Sequence, residues 1–274
     1  MNSWGIAVVL GIVEGLTEFL PVSSTGHLII AGHLLGFVGE KAASFEVAIQ
    51  LGAILSVVLL YWQRFVGLLP VGAPRLLDSK STLLGWSGLW RMAAATFPAL
   101  LIGYLARHAI KAKLFNPEAV TLALAVGGVA ILLVERLRSQ RRSSSLDQLS
   151  LAQAFGIGLF QVLALWPGTS RAAATIIGGM LLGLDRKGAA EFSFLIAVPV
   201  LCAASGYELI KMRDQLALDD SIALAIGFVV SFVVALAAVK GFVSFLSHGK
   251  LAPFAWYRII VAPIFYLLTR GVSF

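Results

Sequence analysis

Between two stretches of oil the chain carries "EGLTEFLPVSSTGHLII", residues 14–30. Glu14 and Glu18 are four residues apart, so on a helix they share one face about 6 Å apart along the axis. Two carboxylates that close resist joint ionisation, and a charge among apolar flanks costs roughly 3 kcal/mol or more. The pair therefore points to a divalent cation or a shared proton rather than to a solvated helix end. Pro21 stops that helix, and Ser23 or Ser24 is placed to cap the next one, with His27 in its first turn. Ser24 and His27 are three apart, Ser23 and His27 four, and either spacing lets an imidazole reach a hydroxyl as nucleophile activation requires. The plain alternative is that both serines only cap and His27 is an ordinary satisfied polar residue.

A second such island is "PGTSRAAAT", residues 167–175. Gly168 permits a tight turn, Thr169 or Ser170 caps the helix that follows, and Arg171 falls in its first turn. Arg171 has no acidic neighbour in its own segment, and its fork of donors matches phosphate oxygens; the alternative is an intramembrane pair with Glu14 or Glu18. Helix starts at both islands would aim free N–H groups and positive dipole ends at one point, a place suited to an anion.

The elements that hold these residues are membrane helices. The chain is 59% hydrophobic and 13% charged with mean hydropathy +0.91, far from soluble averages of roughly 45–50% apolar and about 25% charged. No basic leader or small-residue cleavage site precedes Glu14, so the N-terminus reads as mature protein. The single cysteine, Cys202, lies in an apolar run and reads as packing. A net charge of +7 and a pI near 9.8 come from basic residues in short turns, which favours anionic lipid headgroups over nucleic acid.

Windows of about 20 apolar residues, enough for roughly 30 Å of hydrocarbon, lie near 43–62, 90–109, 117–135, 188–208, 220–241 and 252–270. Stretches 4–36 and 151–184 are each cut by a proline with polar neighbours, Pro21 and Pro167, and each half is too short to cross. They are expected to enter the bilayer, turn and return. At an offset of 147, Gly11 falls on Gly158, Glu14 on Gln161 and Gly36 on Gly183, while Pro21 meets Pro167 only at 146. The expected fold is a single all-α polytopic membrane domain over 1–274, about six spanning helices plus two re-entrant pairs in an inverted repeat, with repeat 1 near 1–135 and repeat 2 near 151–270. If 136–150 is cytoplasmic, span counting places 63–89 (Arg64, Arg75, Lys80), Arg186, Lys187 and Lys250 on the same side, and Lys41, Lys111, Lys113, Lys211 and Arg213 opposite.

"VEGLTEFLPVSSTGHL", "FEVAIQLGAIL", "QVLALWPGTSRAAATI" and "EFSFLIAVPV" resemble the undecaprenyl-diphosphate phosphatases, the bacitracin-resistance family, in motif order, length and span count over essentially the whole chain. The resemblance implies a multi-pass enzyme of the bacterial inner membrane with its site open to the periplasm. It implies hydrolysis of undecaprenyl diphosphate to the monophosphate, recycling the carrier for peptidoglycan precursors, with a divalent cation (Mg²⁺ or Ca²⁺) assisting. The family's acidic pair falls on Glu14 and Glu18, its serine and histidine on Ser24 and His27, and its second-motif serine, arginine and threonine on Ser170, Arg171 and Thr175. Ala172 stands where the family usually has a serine. The combined expectation is that Arg171, Thr175 and the helix starts at Ser23, Gly168 and Ser170 hold phosphate, a cation sits on Glu14 and Glu18, and Ser24 attacks with His27 as base; attack by His27 itself or by a metal-bound water stays open. Undecaprenyl diphosphate and anionic lipids are the expected partners, nucleic acid is not, and a homodimer is compatible with the sequence. A secondary transporter or flippase for a lipid phosphate is the competing reading, since broken helices at mid-membrane also serve transport.

Overall fold

The computed structural model describes residues 3–69, 81–137, 144–212 and 221–270. Arg75, Lys80 and Arg213, and residues 138–143 of the basic loop, lie outside them. Eleven α-helices run through the described residues: α1 (Ser3–Thr17), α2 (Ser24–Leu35), α3 (Glu40–Leu60), α4 (Trp62–Gly67), α5 (Gly85–Leu114), α6 (Pro117–Leu137), α7 (Leu151–Val162), α8 (Arg171–Leu181), α9 (Arg186–Met212), α10 (Ser221–Leu246) and α11 (Ala252–Thr269). The protein is an all-α polytopic membrane protein: α5, α6, α9, α10 and α11 each contain a stretch long and apolar enough to span hydrocarbon. Their outward residues are large and apolar, among them Leu105, Leu133, Val229 and Ile260, as a lipid-facing surface requires.

The four helices of the two islands are different. α1 has 15 residues, α2 and α7 have 12 and α8 has 11, so at 1.5 Å per residue none exceeds about 22 Å. Pro21 and Pro167 fall in the gaps, where a ring that locks φ and removes an N–H ends the preceding helix. α1 packs along α10 and α7 along α5. Both contacts are backbone-close because small residues face them: a Cβ on Gly11 would lie 2.8 Å from the Gly227 carbonyl oxygen, on Gly15 2.7 Å from that of Ser231, and on Gly158 2.7 Å from that of Ala95. The "GIVEG" spacing places Gly11 and Gly15 one turn apart, and Glu14 is carried into the interior beside them at 1% exposure.

One end of the bundle is tied by polar contacts. Arg64 donates to both oxygens of Asp147, at 2.5 and 3.3 Å, Ser81 donates to the same carboxylate at 2.6 Å, and Arg186 grips Glu135 through two bonds of 2.8 and 2.6 Å. The Leu251 amide also donates to Glu135 at 2.9 Å, and Ser144 pairs with the 183–185 turn. The described residues Arg64, Ser81, Arg186 and Leu251, from the loops that span counting places with the 136–150 segment, are thus found at this end.

Candidate active site

The two islands meet inside the bundle, and each is built around a strained serine. Ser23 has φ 76° and Ser170 φ 69°, the only non-glycine residues with positive φ among those described, and they stand 147 residues apart. Each caps its helix: Ser23 Oγ accepts from the Gly26 amide at 3.4 Å and Ser170 Oγ from the Ala173 amide at 3.2 Å. The positive φ turns the backbone from each proline break into the helix that follows. Ser24 and Arg171 are therefore the first residues of α2 and α8, and both line a cavity of about 150 Å³ together with Glu18, Ser23, Thr25, Gln50, Trp166, Gly168 and Ser170.

Glu18 lies one residue beyond α1, but its amide still donates to the Glu14 carbonyl at 2.9 Å, so the two carboxylates keep the one-turn spacing expected of them. Its two oxygens have different partners. Ser24 Oγ donates to Oε2 at 2.6 Å, and Arg171 Nη2 donates to Oε1 at 3.3 Å. Arg171 is thus not the free guanidinium that its segment suggested; the intramembrane pair is formed, with side chains 9% and 5% exposed. Its Nη1 donates to the Ser193 carbonyl at 2.9 Å and it lies 5.6 Å over the Phe19 ring, while its buried Nε has no partner. One donor of the fork remains unused.

His27 is not paired with a serine hydroxyl. Its Nδ1 lies 2.7 Å from the Ser23 carbonyl and its Nε2 2.7 Å from the Tyr257 hydroxyl, with the two rings stacked at 5.6 Å. A carbonyl only accepts, so Nδ1 carries the proton and, in the neutral ring, Nε2 accepts from tyrosine. The expected Ser24–His27 contact is replaced by Ser24–Glu18 because the first turn of α2 directs the imidazole back along its own helix and toward α11, while Glu18 comes in from the preceding segment. Thr175 also departs from expectation. Fully buried, it donates to the Arg171 carbonyl at 2.8 Å and lies 2.7 Å from Ser193 Oγ, so it braces α8 and does not line the cavity. Ala172 is likewise fully buried in the core behind the cavity, so a serine there would present its hydroxyl to packing residues.

Sequence reading missed four residues that the site uses. Ser193 holds Arg171, Gln50 lines the cavity and is held by Ser205 at 2.9 Å, and Tyr257 and Arg258 reach in from α11. Only the presence of an arginine inside an apolar span marked Arg258 beforehand.

Glu14 has both carboxylate oxygens buried without a hydrogen-bond partner. A bare buried carboxylate is costly, and one turn from Glu18 it has the hard oxygen chemistry that Mg²⁺ or Ca²⁺ takes. No cluster of three or more His, Cys, Asp or Glu side chains suited to an ion occurs among the described residues, so phosphate oxygens and water would have to complete a coordination shell there. Beside the cavity, sharing Ala164, Arg171 and Leu201 with it, opens an apolar groove of about 550 Å³ between α5 and α9. It runs past Leu100 and Gly103 to Tyr104, Arg107, Tyr207 and Glu208, away from the end tied by Arg64 and Arg186.

The family model described as bacitracin resistance protein BacA matches residues 7–264. The chain belongs to this family. Relatives of this chain include the undecaprenyl-diphosphatase of Maridesulfovibrio salexigens, 56% identical over 96% of this chain and 98% of its own length. Those of Solidesulfovibrio magneticus, 57% identical over 93% and 94%, and Nitratidesulfovibrio vulgaris, 55% over 97% and 98%, carry the same name.

Proposed function

We propose that this BacA-family chain hydrolyses undecaprenyl diphosphate to undecaprenyl phosphate and inorganic phosphate, recycling the lipid carrier of peptidoglycan synthesis. The observation that carries the reading is the Ser24 hydroxyl held at 2.6 Å by the Glu18 carboxylate, beside Arg171 and two helix N-termini facing one cavity. A transporter needs an anion clamp and coupling carboxylates; it has no use for a hydroxyl presented to a buried base.

In the mechanism, Arg171 and the first-turn amides of α2 and α8 receive the diphosphate. Ser24 Oγ attacks the terminal phosphorus and its proton passes to Glu18, the bond to the bridging oxygen breaks, and undecaprenyl phosphate leaves. Water then attacks the phosphoserine, Glu18 returns its proton to the departing Ser24 oxygen, and both water protons leave on the phosphate. His27 steadies the Ser23 carbonyl, and with it the cap that presents Ser24. Glu14 and the outer face of Glu18 would hold a divalent cation, which when bound supplies positive charge against the phosphate oxygens.

The groove between α5 and α9 fits an isoprenoid chain that stays in the bilayer while its diphosphate reaches the cavity. We place the end tied by Arg64–Asp147 and Arg186–Glu135 in the cytoplasm, where Arg136, Lys187 and Lys250 meet anionic headgroups, so that the groove and cavity open toward the periplasm of the inner membrane. The exchanged packing of α1 on α10 and α7 on α5 supports an inverted repeat whose short pairs α1–α2 and α7–α8 are re-entrant. The test is phosphate release from a polyprenyl diphosphate by purified protein in detergent with Mg²⁺ or Ca²⁺. Release in wild type and its loss in Ser24→Ala are expected; silence of the wild type under both ions overturns the reading.

A further inference from the structure

Arg258, in α11, is the largest fully buried side chain among the described residues, and every hydrogen bond it makes goes to a main-chain carbonyl. Nη1 donates to Pro21 at 3.2 Å and Thr169 at 2.9 Å, Nη2 to Gly168 at 2.9 Å and Ala123 at 3.0 Å, and Nε to Leu124 at 3.2 Å. Three of these carbonyls lie in the two breaks between short helices, where no turn of helix supplies a donor. One guanidinium thus spans the first island and the second and fastens both to α6. Two residues beyond Pro21 is Ser23 and one beyond Thr169 is Ser170, the pair held at positive φ. A strained backbone of this kind persists only where its surroundings over-determine it, and a planar, permanently charged fork with five donors does that where a point charge cannot. Room for the fork is reserved opposite: a Cβ on Gly127 would overlap the Arg258 guanidinium.

We propose that Arg258 is a positioning residue for the reaction: by clamping the carbonyls of Pro21, Gly168 and Thr169 it sets Ser24 in register with Arg171 across the cavity, and so governs turnover without touching substrate. The proposal rests on the hydrolase reading above. Misregister leaves the phosphate its donors but moves the attacking oxygen off line, so the loss belongs in kcat rather than KM.

The experiment measures kcat and KM for a short-chain prenyl diphosphate, with thermal midpoint and yield, for full-length Arg258→Lys and Gly127→Ala. Gly127→Ala disturbs the guanidinium while leaving every cavity residue as it is. Gly241→Ala, at a helix position with no atom within 4 Å of the added carbon, controls for the loss of a helix glycine and should keep wild-type kcat. Both test variants are expected to be folded, with kcat down at least tenfold and KM within threefold, and their combination to be less than multiplicative. Kcat within twofold of wild type in both, a rise in KM alone, or failure of both to accumulate as folded protein overturns the proposal; the last outcome makes Arg258 a fold residue only. A wild type that releases no phosphate instead removes the hydrolase reading on which it stands.

Discussion

Ser24 donates its hydroxyl proton to Glu18 across 2.6 Å, six residues back in sequence and on the far side of a proline break. The nearest imidazole, His27, has both nitrogens engaged elsewhere, by the Ser23 carbonyl and by Tyr257. The hydroxyl and its base therefore come from opposite sides of the break, and the histidine works on the backbone between them.

That division predicts unequal losses. Ser24→Ala and Glu18→Gln should each lower kcat by about 10³ or more, because one removes the attacking oxygen and the other its proton acceptor. Tyr257→Phe, which frees Nε2 but leaves the Nδ1 contact, should cost less than about tenfold. Steady-state phosphate release checks this. A Tyr257→Phe enzyme as dead as Ser24→Ala would return the histidine to the role of base.

Glu14 and Glu18 should separate in a metal titration. Glu14 has no other partner in the structure, whereas both oxygens of Glu18 are bonded. Glu14→Gln should raise the Mg²⁺ or Ca²⁺ concentration for half-maximal rate more than tenfold, since a hard cation prefers charged oxygen. Glu18→Gln should lose rate even at saturating metal. Titration calorimetry with the cation alone, in each variant, tests the same assignment independently of turnover; unchanged affinity in Glu14→Gln would leave the ion to substrate phosphates.

Arg171→Ala should do more than abolish activity. It strands Glu18 as a buried charge with its cationic partner gone, a loss of about 3–5 kcal/mol for pairs of this kind, so the thermal midpoint should fall. Adding Glu18→Gln removes the stranded charge and should bring the midpoint back toward wild type while activity stays absent. A midpoint unaffected by Arg171→Ala would mean the guanidinium is spent on substrate alone.

The end tied by Arg64 carries a pH signature. Hydrogen bonding from Arg64 holds the Asp147 carboxyl below its ordinary value of 3.8, against the opposing effect of burial. A depressed folded-state value means the contact stabilises fully above the ordinary aspartate range and is lost as pH falls through and below it. Asp147→Asn should therefore lower the thermal midpoint at pH 7, by about 1 kcal/mol or less for a partly exposed pair, and the difference from wild type should shrink near pH 3. An undiminished difference at low pH would assign the effect to packing.

Much of this protein is legible along the chain because membrane helices announce themselves by length and apolarity. The windows at 90–109, 117–135, 188–208, 220–241 and 252–270 fall on α5, α6, α9, α10 and α11, differing mainly at the ends, where helices run on past the apolar stretch as α10 does to Leu246. The sixth expected window, 43–62, falls on α3, whose apolar stretch Ser44–Leu60 is shorter than those of the five spanning helices among the described residues. The breaks at Pro21 and Pro167, the caps at Ser23 and Ser170 and the one-turn spacing of Glu14 and Glu18 are equally local, set by a ring, a hydroxyl and a helical period. What the sequence left open were the contacts between segments. Ser24 could have turned to His27 or Glu18, and Arg171 to a phosphate or a carboxylate. Those choices depend on which helix lies across the cavity, which follows from glycine faces packing α1 on α10 and α7 on α5, and from Arg258 holding both breaks from a helix more than 80 residues beyond the second. Hydrogen bonds are decided by angles and distances of a few tenths of an ångström, and only the packed structure fixes those.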